Sequence, residues 1–377
     1  MGRVRAVSLW MVLVASSIVT IVHAARVDLQ QFSSEVSTNF STPEEQINLE
    51  LGLAVNFYSK SCPNAETIIS QLVSAAINND KGIAPGLLRI FFHDCFSQGC
   101  DASLLLRDSR GSELNDAPNA SIRRSALNLI DQIKAALERT CQRVVSCADI
   151  IVAATRDSIK ATGGPSFAVP LGRRDSFNRF STGLLPGASA TFGDQLGRFQ
   201  NVRLNTQDLV ALASGGHTLG VAQCASFQQR ISPNVDPKLN KDFANALRQI
   251  CGNPIQSSNT AGLDFFSPFK FDNDIFKNFL TGGALLQSDQ NMDTDSTAWG
   301  LVNTFAKDQG AFFRQFQASF IKMSQINPLS GNNGEIRSVC SRSNNAGFEP
   351  LPEDVVQGEE MESPVERDFI KQVTDEE

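Results

Sequence analysis

The chain has 377 residues, of which 41% are hydrophobic and 19% are charged, and its formal net charge at pH 7 is −7. This composition is typical of a globular protein that buries a sizeable core. The negative charge argues against non-specific binding to nucleic acid, which requires a basic surface.

The N-terminus has the pattern of a secretory signal peptide. Arg3 and Arg5 form a basic start, residues 6–22 are almost wholly apolar or small, and Ala24 precedes a possible cleavage point. The alternative is an uncleaved membrane anchor, but the apolar run is short beside the about 20 residues that a bilayer requires. We therefore predict a signal peptide over residues 1–24, and a mature protein that is secreted to the extracellular space or cell wall without a membrane attachment.

Two polar segments flank the centre of the chain. Residues 25–52 show no clear periodicity and are predicted to form a flexible arm or propeptide. Residues 346–377 are strongly acidic and contain several prolines, a composition that cannot bury a core and predicts a disordered tail. This tail is either a sorting signal that directs the protein to the vacuole or a solvated end without a function.

The centre of the chain, residues 53–345, shows the apolar periodicity of helices, and alternating strand patterns are scarce. Ser146-Cys147-Ala148-Asp149 resembles a capping box that opens a helix ending at Gly163-Gly164, and Thr206 is predicted to cap a helix over residues 207–213. The other predicted helices cover residues 65–77, 126–138, 272–280, 298–308 and 312–323. We predict an all-α domain with helices above and below a central site.

Eight cysteines suit the oxidising secretory compartment, where an even number predicts four disulfides. A zinc site is the alternative, but the cysteines lack the paired CxxC spacing of such sites. Cys95 and Cys100 are close enough in sequence to pair locally, whereas the remaining cysteines allow many connectivities.

The segment 87–103, LLRIFFHDCFSQGCDAS, places several polar side chains in an apolar run. On a helix, Arg89 and His93 are four residues apart and share one face. Asp94 is rotated from His93 by about 100° and points elsewhere. We therefore expect that Asp94 is not the group that orients His93.

Oxygen-bearing groups follow His93 closely. Asp94, Asp101 and Ser103 offer side-chain oxygens, and the loop through Ser97 and Gly99 offers carbonyl oxygens. Oxygen ligands of this kind suit calcium. The alternative role for Asp94 is an ion pair on the helix surface.

The other histidine of the central region, His217, lies in the segment LASGGHTLGVAQC. The glycines before it allow the backbone to approach another group closely. The alternative is a core histidine that is hydrogen-bonded to a carbonyl.

Several motifs, in this order, resemble those of the plant secretory (class III) haem peroxidases: NFYSKSCPNAE, RIFFHDCFSQGCDAS, VSCADI, VPLGRRDS, GGHTLG, FDN and LLQSDQ. The resemblance runs from about Leu53 to Cys340. It implies an all-α haem peroxidase fold, in which two helical halves hold one non-covalent b-type haem and four disulfides are formed. It also implies a monomeric enzyme that uses hydrogen peroxide to oxidise small phenolic reductants.

The resemblance implies a role for each histidine. His217 resembles the axial ligand of the haem iron, and Asp289, in QSDQ, resembles the carboxylate that accepts a hydrogen bond from it. Arg89 and His93 resemble the acid–base pair that acts on hydrogen peroxide, with Asn119 accepting a hydrogen bond from His93. Gln223 is expected to contact a haem propionate, and Pro186 to lie near the reductant entrance.

The resemblance also implies two calcium ions and a disulfide pattern. The first calcium ion is expected to bind Asp94, Ser97, Gly99, Asp101 and Ser103, with Glu113 nearby through water. The second is expected to bind Thr218, Asp264, Ser267, Lys270 and Asp272. The implied disulfides are Cys62–Cys141, Cys95–Cys100, Cys147–Cys340 and Cys224–Cys251.

The chain departs from the family pattern at a few positions. Phe167 stands where the family usually has Trp, and Gly82 stands where some members have an Arg that touches a haem propionate. The alternatives are a haem-binding protein without turnover and a secreted structural protein with a degenerate site. The presence of Arg89, His93 and Asn119 together argues against both.

Overall fold

The computed structural model describes residues 48, 50–107, 111–180, 183 and 185–344. The predicted signal peptide over residues 1–24, nearly all of the arm over 25–52 and the acidic tail over 346–377 lie outside the described residues and remain predictions. The chain divides into two units, Met1–Glu50 and Leu51–Glu377. Every element with defined bounds lies in the second unit.

Helices dominate the described part of this unit, as the apolar periodicity predicts. In chain order they are α1 (Ala65–Asn79), α2 (Ile83–Ser97), α3 (Arg124–Thr140), α4 (Cys147–Ala161), α5 (Phe192–Asn201), α6 (Thr206–Leu209), α7 (Gln228–Ile231), α8 (Lys241–Cys251), α9 (Asp274–Leu280), α10 (Gln287–Gln290), α11 (Ser296–Lys307) and α12 (Gln309–Ser324). The strands β1 (Val221–Gln223) and β2 (Thr260–Gly262) pair antiparallel, with Val221 opposite Gly262. None of the helices within the described ranges combines the length and apolarity needed to cross a membrane.

The start of α4 differs from the predicted capping box. The Ser146 hydroxyl accepts a hydrogen bond from the backbone N–H of Asp149 at 3.1 Å, as predicted. The Asp149 carboxylate does not return to Ser146, because it accepts hydrogen bonds from Tyr58 at 2.6 Å and from Arg173 at 2.9 Å. Only the Ser146 half of the predicted capping box is therefore formed, because the Asp149 carboxylate belongs to a buried network of tertiary hydrogen bonds.

The start of α6 corrects a second prediction. Asn205, and not Thr206, is the cap, because its side-chain oxygen accepts from the backbone N–H groups of Gln207 and Asp208 at 2.9 and 3.1 Å. The Asp208 carboxylate completes a capping box by accepting from the Asn205 N–H at 2.8 Å. The helix then widens into a π-helical turn, Val210–Ser214, which leads directly to His217. Such turns frequently mark functional sites.

Phenylalanines fill much of the main core. Phe271, Phe276, Phe312 and Phe316 are fully buried and pack against one another edge to face or stacked. Each buried ring contributes roughly 1.5–3 kcal/mol to the free energy of unfolding. Phe167 packs edge-on against Phe320, with ring centroids 5.3 Å apart, so an aromatic contact is kept at the position where the family usually has Trp.

The structure contains four disulfides, and their pairing is the one that the resemblance implies: Cys62–Cys141, Cys95–Cys100, Cys147–Cys340 and Cys224–Cys251. Cys147–Cys340 joins positions 193 residues apart and links the start of α4 to the end of the described chain. In the chain-entropy model, closing a loop of this length stabilises the fold by on the order of 5 kcal/mol.

Candidate active site

Helix α2 carries two of the predicted active-site residues. Arg89 and His93 share one face of the helix, and the Nε atom of Arg89 lies 3.4 Å from the Nε2 atom of His93. Both side chains are partly buried, whereas Phe91 on another face is fully buried in the core. The helix therefore carries Arg89 and His93 on one partly buried face, while Phe91 packs into the apolar core.

Asn119 determines which nitrogen of the neutral His93 ring carries the proton. Its side-chain Nδ2 donates to the carbonyl of Glu113 at 2.8 Å, so its Oδ1 atom must be the end that faces His93. This Oδ1 lies 2.6 Å from the His93 Nδ1, which therefore carries the proton and donates. The unprotonated Nε2 atom of His93 accepts a long hydrogen bond from the Arg89 Nε at 3.4 Å.

The surroundings of His93 keep it neutral. Burial, aided by the positive charge of Arg89, lowers the pKa of His93 from 6.5 to about 4, although the hydrogen bond to Asn119 acts in the opposite direction. At neutral pH the imidazole is therefore unprotonated at Nε2 and can accept a proton.

The loop that carries Asn119 also holds Arg89. The guanidinium Nη2 donates to the Pro118 carbonyl at 2.9 Å, and Nη1 donates to the Ser121 carbonyl at 3.2 Å. One short loop thus positions both the base and its cationic neighbour. These carbonyl contacts were not predicted, since nothing in the sequence marks which backbone groups a distant arginine will meet.

His217 follows the π-helical turn and lies beside Asp289 of α10. Its Nδ1 atom is 3.0 and 3.1 Å from the two carboxylate oxygens of Asp289. The His217 side chain is 32% exposed and the Asp289 side chain is 3% exposed. Burial lowers the pKa of His217, but the charge and the hydrogen bond of Asp289 outweigh it, and the net shift is upward.

The glycines before His217 allow close packing. A Cβ atom on Gly215 would lie 2.5 Å from the Phe312 ring, so no larger residue fits there without a shift. A Cβ atom on Gly216 would lie 3.7 Å from Leu88, the neighbour of Arg89 in α2. The charge of Arg89 is close enough to lower the pKa of His217. The two histidines therefore lie on neighbouring elements.

This arrangement fits a haem. An imidazole whose Nδ1 hydrogen bonds to a buried carboxylate leaves Nε2 for iron, and the carboxylate fixes the orientation of the ring and makes it a stronger donor. On α2, His93 supplies a proton acceptor and Arg89 supplies a cation. Each histidine thus lies beside the partners that the resemblance implies. His217 lies beside Asp289, and His93 lies beside Arg89 and Asn119.

The residues expected at the first calcium site are buried around the end of α2. Asp94 is turned away from His93, and its carboxylate accepts from the backbone N–H groups of Ala102 at 3.0 Å and Leu104 at 3.3 Å. Ser97, Gly99, Asp101 and Ser103 are all buried with it.

Negative charge accumulates at this end of α2. Burial and the charge of Asp101 raise the pKa of Asp94 well above its usual value. Burial also raises the pKa of Asp101 to about 6, and that of Glu113. A divalent cation would relieve the repulsion among these carboxylates.

The residues expected at the second calcium site also converge. The Ser267 hydroxyl donates to Asp264 at 3.2 Å and lies 3.5 Å from Asp272, and Thr218 donates to the Lys270 carbonyl at 3.4 Å. The Lys270 ammonium forms an ion pair with Asp272 at 2.9 Å. Burial, with the charge of Asp272, raises the pKa of Asp264.

Within the described ranges, no group of three or more His, Cys, Asp or Glu side chains is arranged to hold a metal ion. Each expected calcium set is compatible with this result, because only its aspartates belong to those residue types. Its other ligands are hydroxyl and carbonyl oxygens, which are ordinary calcium ligands.

Two further predicted residues, Gln223 and Pro186, lie in β1 and in the loop before α5. Gln223 ends β1, is exposed, and pairs with Thr260 of β2. Among the described residues, no hydrogen bond joins its side chain to either histidine. Pro186 is half-buried, and its loop is tied to α10 because the Ala188 carbonyl accepts from the Ser288 N–H at 2.9 Å.

The structure also explains Gly82. A Cβ atom at this position would lie 2.4 Å from the guanidinium carbon of Arg123. Arg123 is held there by an ion pair with Asp80 at 2.8 Å. The glycine thus makes room for an arginine from another part of the chain, which the sequence alone did not indicate.

Comparison with known proteins identifies the family of the chain. A family model described as peroxidase matches residues 69–308. Peroxidase 12 of Arabidopsis thaliana is 43% identical over 312 residues, which cover 81% of this chain and 87% of that protein. Cationic peroxidase SPC4 of Sorghum bicolor is 43% identical over 80% of this chain and 84% of its own length. Peroxidase 14 of Arabidopsis thaliana is 45% identical over 77% of this chain and 89% of its own length.

The matched region contains the α2 pair, Asn119, His217 and Asp289. The chain therefore belongs to the class III family of plant haem peroxidases and is an oxidoreductase that uses hydrogen peroxide.

Proposed function

We propose that this protein is a secreted peroxidase in which Arg89 and His93 act on hydrogen peroxide, His217 binds the haem iron, and small phenols are the reductants. The observation that carries the proposal is the hydrogen bond from His93 Nδ1 to Asn119 at 2.6 Å. It leaves the His93 Nε2 as an unprotonated acceptor beside a fixed guanidinium.

His217 and Asp289 would hold the haem. The Nε2 atom of His217 is free to bind iron because Nδ1 is engaged by Asp289. The haem, when bound, supplies the two electrons that reduce the O–O bond of hydrogen peroxide. The carboxylate of Asp289 increases the electron donation of the imidazole and so favours that reduction.

His93 would move the proton. Its Nε2 atom accepts a proton from one peroxide oxygen and returns it to the other oxygen, which then leaves as water. A positioned acid–base group of this kind contributes about 10²- to 10⁴-fold to a rate. Arg89 stabilises the negative charge that develops as the O–O bond breaks, an effect worth about 10²- to 10³-fold.

Two reductant molecules complete the cycle. Each phenol gives up one electron and one proton, so that one hydrogen peroxide and two phenols yield two waters and two phenoxyl radicals. The loop at Pro186 supports an open approach, because the residues that follow Gly187 are the small Ala188, Ser189 and Ala190. We expect an open entrance that accepts planar aromatic donors.

The calcium ions and the secretory route belong to the same proposal. Two calcium ions would neutralise the buried carboxylates near Asp94 and Asp264 and so hold the elements that carry the two histidines. Secretion rests on the signal-peptide pattern of residues 1–24, and the monomeric state rests on the family resemblance. The location of a fluorescent fusion with and without residues 346–377 would separate an extracellular from a vacuolar destination.

The test of the catalytic proposal is a stopped-flow experiment on the purified holoprotein mixed with hydrogen peroxide, monitored by haem absorption. We expect a rapid spectral change followed by a return when a phenol is added. His93→Leu should slow the first change by about 10²- to 10⁴-fold. A haem-binding protein without turnover would show no change, and a rate unaffected by His93→Leu would contradict the role of the base.

A further inference from the structure

One fully buried guanidinium has no part in the chemistry proposed above. Arg230 lies in α7 and is 1% exposed. Its Nη1 atom donates to the carbonyls of Ala284, Leu285 and Leu286, the last two at 3.1 and 3.2 Å. Its Nη2 atom lies 3.3 Å from the side-chain oxygen of Gln290.

The segment 284–286 needs such a donor. Its side chains are almost completely buried, and it approaches α10 with Leu286 in an extended conformation. The buried carbonyls of Ala284 and Leu285 must find hydrogen-bond partners, because an unpaired one costs about 1–3 kcal/mol, whereas the Leu286 carbonyl also accepts from the Gln290 N–H at 3.1 Å. A planar guanidinium with several fixed N–H groups can serve neighbouring carbonyls at once, which a lysine ammonium cannot reproduce.

A ring of polar side chains holds Arg230 itself. Its Nε atom donates to Asp236 at 2.9 Å. Gln290 donates to Asp293 at 2.9 Å, and Lys238 donates to Asp293 at 2.6 Å. The backbone N–H of Lys238 donates a hydrogen bond to the Asp236 carboxylate at 2.9 Å. Arg230 therefore cannot move without disturbing contacts at both ends of α10.

The contacts of Arg230 lie before and after Asp289, the residue that hydrogen-bonds to His217. Leu286 is the cap of α10 and Gln290 is its last residue, and Asp289 lies between them. The opposite side of α10 is held by Ser288, whose N–H donates to the Ala188 carbonyl and whose carbonyl accepts from Gln195 at 3.0 Å. The position of the Asp289 carboxylate is thus set by Arg230 on one side and by the Pro186 loop on the other.

We infer that Arg230 is a positioning residue that holds Asp289 against His217 and so controls the electron donation of His217 to iron. The inference rests on the proposed function, in which His217 is the iron ligand. Arg230 does not touch His217 or Asp289 in the contacts described. It acts through the backbone of 284–286 and through Gln290.

The experiment compares holoprotein carrying Arg230→Lys with the wild type. Loss of the guanidinium contacts should let α10 shift and weaken the hydrogen bond from His217 to Asp289. We expect a lower iron–histidine stretching frequency in the resonance Raman spectrum of the ferrous protein, a higher ferric/ferrous midpoint potential, and a reaction with hydrogen peroxide slowed by about tenfold or more.

The matched control is Arg173→Lys. Arg173 is another fully buried arginine that donates to backbone carbonyls, at Ser324 and Pro170, but it makes no contact with α10 in the described structure. It should lower the stability of the protein without moving the stretching frequency or the potential. If Arg230→Lys does not fold, Asp236→Asn weakens the hold on the same guanidinium and should shift both readouts in the same direction.

The outcomes are distinguishable. A folded Arg230→Lys protein with an unchanged stretching frequency and potential would overturn the inference and leave the proposed function intact. A wild-type holoprotein without an iron–histidine band would overturn both, because His217 would then not be the ligand. A shift in Arg230→Lys that Arg173→Lys does not share would support the positioning role.

Discussion

The Oδ1 atom of Asn119 lies 2.6 Å from the Nδ1 atom of His93, although the chain places Asp94, and not Asn119, beside that histidine. Asp94 faces the opposite direction and accepts from backbone N–H groups instead. A neutral amide therefore orients the base. A carboxylate in its place would raise the pKa of His93, whereas the amide leaves it low enough for the ring to stay neutral.

Replacing Asn119 by Ala should slow the reaction with hydrogen peroxide by roughly 10- to 100-fold, because the His93 ring loses the contact that fixes its tautomer. The measurement is the second-order rate constant from stopped-flow absorption. Asn119→Asp is the informative control: it can still accept from Nδ1, but its charge should raise the pKa of His93. A rate for Asn119→Ala within about twofold of the wild type would refute the assignment.

The pH profile of the same reaction should follow the titration of His93. The neutral form is the base, and its pKa is lowered from 6.5 to about 4. The rate constant should therefore be independent of pH near neutrality and fall about tenfold for each unit below pH 4. Arg89→Leu removes a charge that lowers this pKa, so the midpoint should move upward.

Brief pH jumps, with haem absorption checked before mixing, separate this effect from acid unfolding. A wild-type midpoint near the ordinary histidine value would show that burial and Arg89 do not lower the pKa of His93.

Calcium removal should destabilise the holoprotein, because burial raises the pKa values of Asp94, Asp101 and Glu113, and the charge of Asp101 raises those of Asp94 and Glu113 further. A chelator should lower the midpoint of thermal unfolding by an amount that corresponds to about 3 kcal/mol if calcium is present at about a hundredfold excess over its dissociation constant. Asp94→Asn should reduce this sensitivity, whereas Asp308→Asn, at an exposed position, should not. Elemental analysis that finds no calcium in the holoprotein would exclude the proposal.

The buried ion pair of Arg173 and Asp149 should be among the most sensitive structural contacts. Their side chains are 0% and 1% exposed, and Nη1 lies 2.9 Å from Oδ1. Arg173→Met should lower the free energy of unfolding by about 3–5 kcal/mol, since it leaves Asp149 charged and without its cation. Tyr58→Phe, which removes one hydrogen bond to the same carboxylate, should cost about 1.5–3 kcal/mol.

Denaturant unfolding with the disulfides intact measures both variants. Equal losses for Arg173→Met and Tyr58→Phe would mean that the ion pair adds nothing beyond a single hydrogen bond.

Local geometry explains which elements could be predicted. The face shared by Arg89 and His93, and the rotation of Asp94 away from it, follow from 3.6 residues per turn once the segment is helical. The two capping errors arose where side chains compete. Asn205 takes the role expected of Thr206, and Asp149 is drawn from Ser146 to Tyr58 and Arg173.

By itself, the sequence determined the helical class, the face that carries Arg89 and His93, and the family motifs that single out His217, Asp289 and the cysteine pairs. These features depend on residue type and on short spacings. Only the tertiary structure decided that Pro118 and Ser121 hold Arg89, and that Arg230 holds the segment before Asp289, 54 to 56 residues further along the chain. Such contacts join side chains to backbone carbonyls, which every residue possesses, so their partners are chosen by packing and leave no mark in the sequence.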